Sequence, residues 1–92
     1  MSTIDTTARP VIGGGFRLQW EPAQEAHVLL YPEGMVKLNQ SAAAILTRCD
    51  GVHTVADIVG DLERTYALGG LTQDICAFIA LAVERTWIEL PA

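Results

Sequence analysis

The sequence is poor in positive charge, and it has no apolar run long enough to cross a membrane. Its 6 Lys and Arg face 11 Asp and Glu, for a formal net charge of -5 at pH 7. This charge repels phosphate groups and anionic lipid surfaces, so neither nucleic acid nor a membrane is the expected partner. The longest apolar run, Ile75 to Val83, is about half of the ~18 residues that a transmembrane helix needs.

Cysteine is also scarce. Cys49 and Cys76 allow at most one disulfide, and both lie in apolar helical patterns rather than in a framework of loops. The first ten residues lack the basic start and apolar core of a secretory signal. We therefore expect two free thiols and a cytoplasmic protein.

Apolar residues, in contrast, are abundant, at 50% of the chain. This content predicts a folded protein, and 92 residues suffice for one domain. Residues 1–10 are polar, rich in Thr and unpatterned, which predicts a disordered tail. Residues 11–90 are predicted to form a single domain, and a domain of this size is expected to bind its partner in a shallow groove.

The first half of the domain alternates polar and apolar residues. This period predicts three short strands, at 16–20, 27–31 and 35–38. Pro32 to Gly34 is predicted to form the turn before the third strand, because Pro fixes its backbone angle and Gly can take a positive one. Since nothing strand-like follows it in sequence, the third strand is a candidate edge of the sheet.

The second half has helical periodicity. Ser41, Thr54 and Thr72 are predicted as the N-caps of three helices, with stops at Gly51 and at Gly69-Gly70. Three short N-terminal strands followed by three helices predict an α+β fold that is similar to a winged helix-turn-helix.

No group of residues has the spacing of a catalytic or metal site. Cys49 and His53 are close in sequence, but Gly51 separates them and Asp50 is the one acid nearby. We interpret them as a core thiol and a loop histidine. The sequence therefore predicts no enzyme activity, no metal and no cofactor.

The third helix has more apolar surface than a small core requires. One face, at 100° per residue, suffices for the core; it holds Ile75, Ile79, Ala82, Val83 and Thr86. A second stripe, about 60° wide by the same spacing, holds Asp74, Phe78, Leu81 and Arg85. The second stripe has no evident partner within the domain.

This second stripe and the edge strand together predict a peptide groove. A peptide can add a strand to Met35, Val36, Lys37 and Leu38, and it can rest apolar side chains on Phe78 and Leu81 between the charges of Asp74 and Arg85. The pattern leaves open whether the Phe78 or the Ile75 stripe lines the groove. Two alternatives also stay open: a winged helix-turn-helix that binds DNA, and a homodimer that covers the second stripe.

Two consecutive stretches carry a family resemblance. LLYPEGMVKLNQSAAAIL is followed by CDGVHTVADIVGDLERTY, with Pro32-Glu33-Gly34, Leu38-Asn39, Asp50-Gly51 and Thr54-Val55 in this order. The pattern, from about Pro10 to Ile88, resembles the pyrroloquinoline quinone (PQQ) synthesis protein D family. Its members are small peptide-recognition modules, also called RiPP recognition elements after the ribosomally made, modified peptides that they bind.

The resemblance implies a non-catalytic peptide chaperone in the synthesis of PQQ. Such modules bind the ribosomally made precursor peptide and present it to a radical S-adenosylmethionine (SAM) enzyme, which crosslinks a Glu and a Tyr of that peptide. The family's groove lies between the third strand and the third helix. Carried over, its walls are Met35, Val36, Lys37 and Leu38 on one side and Asp74, Phe78, Leu81 and Arg85 on the other.

Overall fold

A computed structural model describes residues 4–91 as five strands and three helices. The strands are β1 (Val11–Ile12), β2 (Arg17–Glu21), β3 (Ala26–Tyr31), β4 (Gly34–Lys37) and β5 (Ile88–Glu89). The helices are α1 (Gln40–Leu46), α2 (Val55–Tyr66) and α3 (Thr72–Glu84). The predicted α+β class is confirmed, and the three predicted strands correspond to β2, β3 and β4.

The three-stranded sheet is an antiparallel meander in the order β2-β3-β4. Arg17 pairs with Leu30 across the first hairpin, and Leu29 pairs with Val36 across the second. Pro32 and Glu33 form a two-residue turn between the paired Tyr31 and Gly34. The turn prediction allowed a positive φ at Gly34, but its φ is not positive. In the described chain, the glycines with positive φ are Gly51 and Gly70.

The sequence reading missed β1 and β5, which pair with each other antiparallel. Gly13, directly after β1, donates its N–H to Trp87 O at 2.8 Å. A Cβ on Gly13 would lie 2.3 Å from Thr86 O, so this close approach requires glycine. The pairing brings the two ends of the domain together.

Part of the segment predicted as a disordered tail, residues 1–10, forms hydrogen bonds with a helix. Met1 to Thr3 lie outside the described residues, but the segment after them contacts the start of α2. Val55 N donates to Ala8 O at 2.9 Å, and Ala56 N donates to Thr6 O at 3.0 Å. The first N–H groups of a helix have no partner within it, so the segment stabilises α2 by accepting their hydrogen bonds. The extent of the domain, 11–90, stays a prediction.

Of the three predicted N-caps, Thr54 is confirmed. Its hydroxyl accepts from Asp57 N at 3.0 Å while the Asp57 carboxylate accepts from Thr54 N at 3.0 Å, which completes a capping box. The cap of α1 is Asn39 rather than Ser41, with Asn39 Oδ1 accepting from Ala42 N at 2.8 Å.

The caps of α3 also differ from the prediction. Thr72 is the first residue of the helix, and the N-cap position is taken by Leu71, whose N–H donates to the Glu63 carboxylate at 3.0 Å. At the other end, Thr86 has φ 61°. Thr86 N and Trp87 N donate to Val83 O and Ala82 O, the two hydrogen bonds of a Schellman motif.

One hydrophobic core lies between the three-stranded sheet and the helices. Its largest fully buried members come from the sheet, from all three helices and from β5; they are Leu29, Leu46, Ile58, Ile79 and Ile88. No helix within residues 4–91 is both long and apolar enough to span a bilayer.

Candidate peptide-binding site

Strand β4 forms a free edge of the three-stranded sheet. In the described part of the chain, β4 pairs with β3 and with no other strand. Leu38 N donates to His27 O at 3.0 Å, and backbone groups alternate in direction along an antiparallel strand, so Val36 also points toward β3. The N–H and C=O groups of Met35 and Lys37 therefore point away from the sheet and are oriented to pair with an added strand.

The side chains of β4 alternate between the surface and the core. Val36 packs against the core, and Leu38, directly after the strand, is buried. Met35 and Lys37 are exposed, and Met35 Sδ accepts from the Gln24 amide at 3.8 Å. Of the four residues predicted for this wall, two thus present side chains to solvent, and two hold the strand on the core.

The two stripes of α3 differ in burial. Ile75, Ile79 and Ala82 are buried, whereas Phe78 is half-buried and Leu81 is exposed. The Ile75 stripe therefore belongs mainly to the core, and the Phe78 stripe is the more accessible one.

An apolar pocket of about 400 Å³ lies between α1, the end of α2 and α3. We call it the α1–α3 pocket. Its wall is formed by Asn39, Gln40, Ser41, Ala42, Ala44, Ile45, Leu62, Tyr66, Leu68, Leu71, Asp74, Ile75 and Phe78. The wall begins at Asn39, two residues beyond the end of β4 in sequence, and the residues of β4 itself do not line the pocket.

The pocket brings together Asp74 and Phe78 of the predicted site but not Leu81 or Arg85. Helix α3 ends at Glu84, and Arg85 is its C-cap. The Arg85 guanidinium lies over the Trp87 ring, 5.5 Å from its centroid. The helical spacing that grouped Arg85 with Phe78 does not continue past the end of the helix. Asp74 and Phe78 thus line the pocket, Leu81 and Arg85 lie outside it, and the groove between the two predicted walls stays a prediction.

Sequence reasoning missed the part of the pocket that the turn between α2 and α3 supplies. Leu68 is exposed, and Leu71 is half-buried. Leu68 and Leu71 flank Gly69-Gly70, outside any helical stripe. The sequence did contain a signal for this part of the pocket, namely large apolar residues beside a glycine turn. Such residues belong to no helix, so helical periodicity cannot assign them to the core.

A second depression, of about 410 Å³, lies between the β2–β3 hairpin and α1. We call it the Trp20 groove. It is lined by Trp20, Glu25, Ala26, His27, Leu38, Asn39, Gln40, Ala43, Ala44, Thr47, Arg48 and Tyr66. Leu38, predicted as part of the peptide groove, lines it, and the sequence predicted no binding role for the other residues of this surface.

Cys49 and His53, which are close in sequence, do not contact each other in a catalytic or metal-binding arrangement. Cys49 is buried, its thiol lies 3.4 Å from Ile45 O, and burial, assisted by the nearby Asp50 charge, raises the pKa of the thiol to about 12. His53 Nδ1 lies 2.7 Å from Asp50 Oδ2. The backbone N–H groups of His53 and Val52 hold the pKa of Asp50 down, at about 2. Cys49 and His53 thus have separate partners, and the Asp50 carboxylate closes a turn.

Comparison with known proteins identifies the family. The model of the coenzyme PQQ synthesis protein D (PqqD) family matches residues 26–88. The PqqA binding protein of Stutzerimonas stutzeri is 59% identical over 98% of this chain and 99% of its own. That of Azotobacter vinelandii is 57% identical over the same shares.

A solved structure supports the same assignment. The solution NMR structure of the PqqD truncation of Methylobacterium extorquens PqqCD, described as a functional and stand-alone RiPP recognition element, matches with a TM-score of 0.77. It is 29% identical, and the match covers 96% of both chains. The resemblance inferred from the sequence is confirmed: the chain belongs to the coenzyme PQQ synthesis protein D family.

Proposed function

We propose that this chain is a peptide-binding module that binds the precursor peptide PqqA in PQQ biosynthesis without altering it chemically. The observation that carries the proposal is the free edge of β4, followed two residues later in sequence by the first residue of the α1–α3 pocket wall. The names of the similar proteins, PqqA binding protein and RiPP recognition element, support it.

The peptide binds in an extended conformation as a further strand. Its backbone pairs with the outward N–H and C=O groups of Met35 and Lys37, which gives affinity with little dependence on sequence. One of its apolar side chains then enters the α1–α3 pocket against Phe78, and this contact gives selectivity.

The proposed role is binding rather than catalysis. A nucleophilic cysteine needs its thiolate, and a pKa of about 12 keeps Cys49 protonated. Within residues 4–91, no group of three or more His, Cys, Asp or Glu side chains is placed to hold a metal ion. The free thiols of Cys49 and Cys76 also fit a reducing compartment such as the cytoplasm.

We also propose that the bound peptide is presented to the radical SAM enzyme of PQQ synthesis. In size-exclusion chromatography with light scattering, chain, PqqA and enzyme should elute as one complex. Elution of the enzyme apart from the peptide-loaded chain, at concentrations where chain and peptide bind, would contradict presentation while leaving peptide binding intact.

The primary test is an NMR titration of the ¹⁵N-labelled chain with synthetic PqqA of Stutzerimonas stutzeri. Amide shifts are expected at Met35 to Leu38 and at Asp74 to Phe78. No shifts at saturating peptide, or shifts confined to other regions, would overturn the proposed function.

Met35→Pro should weaken peptide binding, whereas Met35→Ala should not. Both variants lose the Met35 side chain, but proline also lacks the outward N–H. It breaks no bond to β3, and edge strands tolerate proline. Loss of one backbone hydrogen bond contributes ~0.5–1.5 kcal/mol, so the dissociation constant should rise roughly 2- to 12-fold. Calorimetric titration measures this change, and equal affinities of the two variants would contradict pairing at Met35.

A further inference from the structure

The Trp20 groove has the features of a second binding surface, and strand addition to β4 does not use it. Trp20 is 51% exposed, and Tyr66, on the same groove, is 47% exposed. The rings of Trp20 and His27 are in edge contact, with centroids 5.2 Å apart at 70°. This contact holds the Trp20 ring in place, so an exposed aromatic face is organised before any ligand arrives.

The groove is continuous with the α1–α3 pocket. Asn39, Gln40, Ala44 and Tyr66 line both depressions. Both therefore meet at the start of α1, directly after the free edge of β4. A peptide that pairs with β4 and fills the pocket lies next to the opening of the Trp20 groove.

One carboxylate and one guanidinium line the groove. Glu25 lines it and has φ 49°, a left-handed conformation that strains a residue other than glycine. Arg48, also on the groove, pairs with Asp61, whose Oδ2 lies 2.5 Å from Arg48 Nε and whose Oδ1 lies 3.7 Å from an Arg64 guanidinium nitrogen. Among the described residues, Glu25 has no such ion-pair partner, so its charge is available to a ligand.

We propose that the Trp20 groove binds a Lys or Arg side chain of the same peptide, in a segment that adjoins the one paired with β4. The cation lies on the faces of Trp20 and Tyr66, and Glu25 neutralises its charge. This inference rests on the proposed function, and it extends the recognised peptide beyond the segment that adds a strand.

The test compares two probes, the Stutzerimonas stutzeri PqqA peptide and the same peptide with every Lys and Arg replaced by Gln. Trp20→Ala should raise the dissociation constant of the unmodified peptide about 3- to 30-fold, as expected for a cation on a partly desolvated ring. The Gln peptide should bind the wild-type chain and Trp20→Ala equally. Glu25→Gln should reproduce the selective loss, and Val52→Ala, an exposed apolar residue outside both depressions, should bind both peptides as the wild type does.

Fluorescence gives a direct readout of the groove. Trp20 and Trp87 are the two tryptophans of the chain, so Trp87→Phe leaves Trp20 as the one indole. Its emission should shift when the unmodified peptide binds, and the shift should be much smaller with the Gln peptide.

The outcomes separate this inference from the proposed function. If Trp20→Ala binds both peptides as tightly as the wild type, and Trp20 emission does not change on binding, the inference is overturned and strand addition still stands. Equal losses for the two peptides also overturn it, because the groove then recognises apolar surface. If the chain self-associates without peptide, and Trp20→Ala abolishes this self-association, the groove binds a second copy of the chain and the inference is overturned. Absence of any peptide binding overturns both proposals.

Discussion

Phe78→Ala should weaken binding of the PqqA peptide by ~1–3 kcal/mol, which is about 5- to 150-fold in the dissociation constant. Phe78 is the large aromatic side chain that α3 contributes to the α1–α3 pocket, and it is half-buried before the peptide arrives. A partly buried aromatic at the wall of an apolar pocket has the character of an interface anchor, since the peptide completes its desolvation. Calorimetric titration measures the loss.

Leu81→Ala is the matched control for this prediction. Leu81 belongs to the same stripe as Phe78 but lies outside the pocket, so its truncation should change affinity by a much smaller factor. Circular dichroism at the titration temperature should show both variants folded. If Leu81→Ala weakens binding as much as Phe78→Ala, the peptide follows the whole helix stripe rather than the pocket.

The strands and helices that have a clear period could be predicted from the sequence. Alternation revealed β2, β3 and β4, and a 3.6-residue period revealed all three helices. Strands β1 and β5 could not be predicted, because two residues have no period and their pairing depends on contacts between Ile12 and Ile88, far apart in sequence. The contact of residues 6–8 with α2 was missed for the same reason, since Thr6 and Ala8 supply backbone carbonyls rather than a side-chain pattern.

For the candidate site, the sequence could predict only relations between residues that lie on the same helix or strand. Burial in the structure separates the Ile75 and Phe78 stripes as their angular positions on one helix predicted. The pocket itself depends on three helices, and its contributions from Tyr66, Leu68 and the start of α1 follow from tertiary packing. The prediction was wrong for Thr86 in the core face, because α3 ends before it and Thr86 is an exposed cap residue.

Ile79→Ala should lower the free energy of unfolding by ~2–5 kcal/mol, the range for truncating a fully buried aliphatic side chain. Ile79 is 0% exposed and points from α3 into the hydrophobic core, so truncation of its side chain leaves a cavity among neighbours from other elements. The total free energy of unfolding of a small domain is about 5–15 kcal/mol. The loss is therefore a large fraction of the stability, and urea denaturation monitored by circular dichroism measures it.

Leu81→Ala is again the control, because leucine and isoleucine are isomers and Leu81 stands two residues away on the same helix, 39% exposed. Both changes remove three carbon atoms, and leucine and isoleucine differ only slightly in helix propensity, so most of the difference between the two losses reports burial. Leu81→Ala should destabilise by about 1 kcal/mol or less, as surface truncations do. Similar losses for the two variants would mean that both stripes of α3 are packed, and the Phe78 stripe would then not be free to receive a peptide.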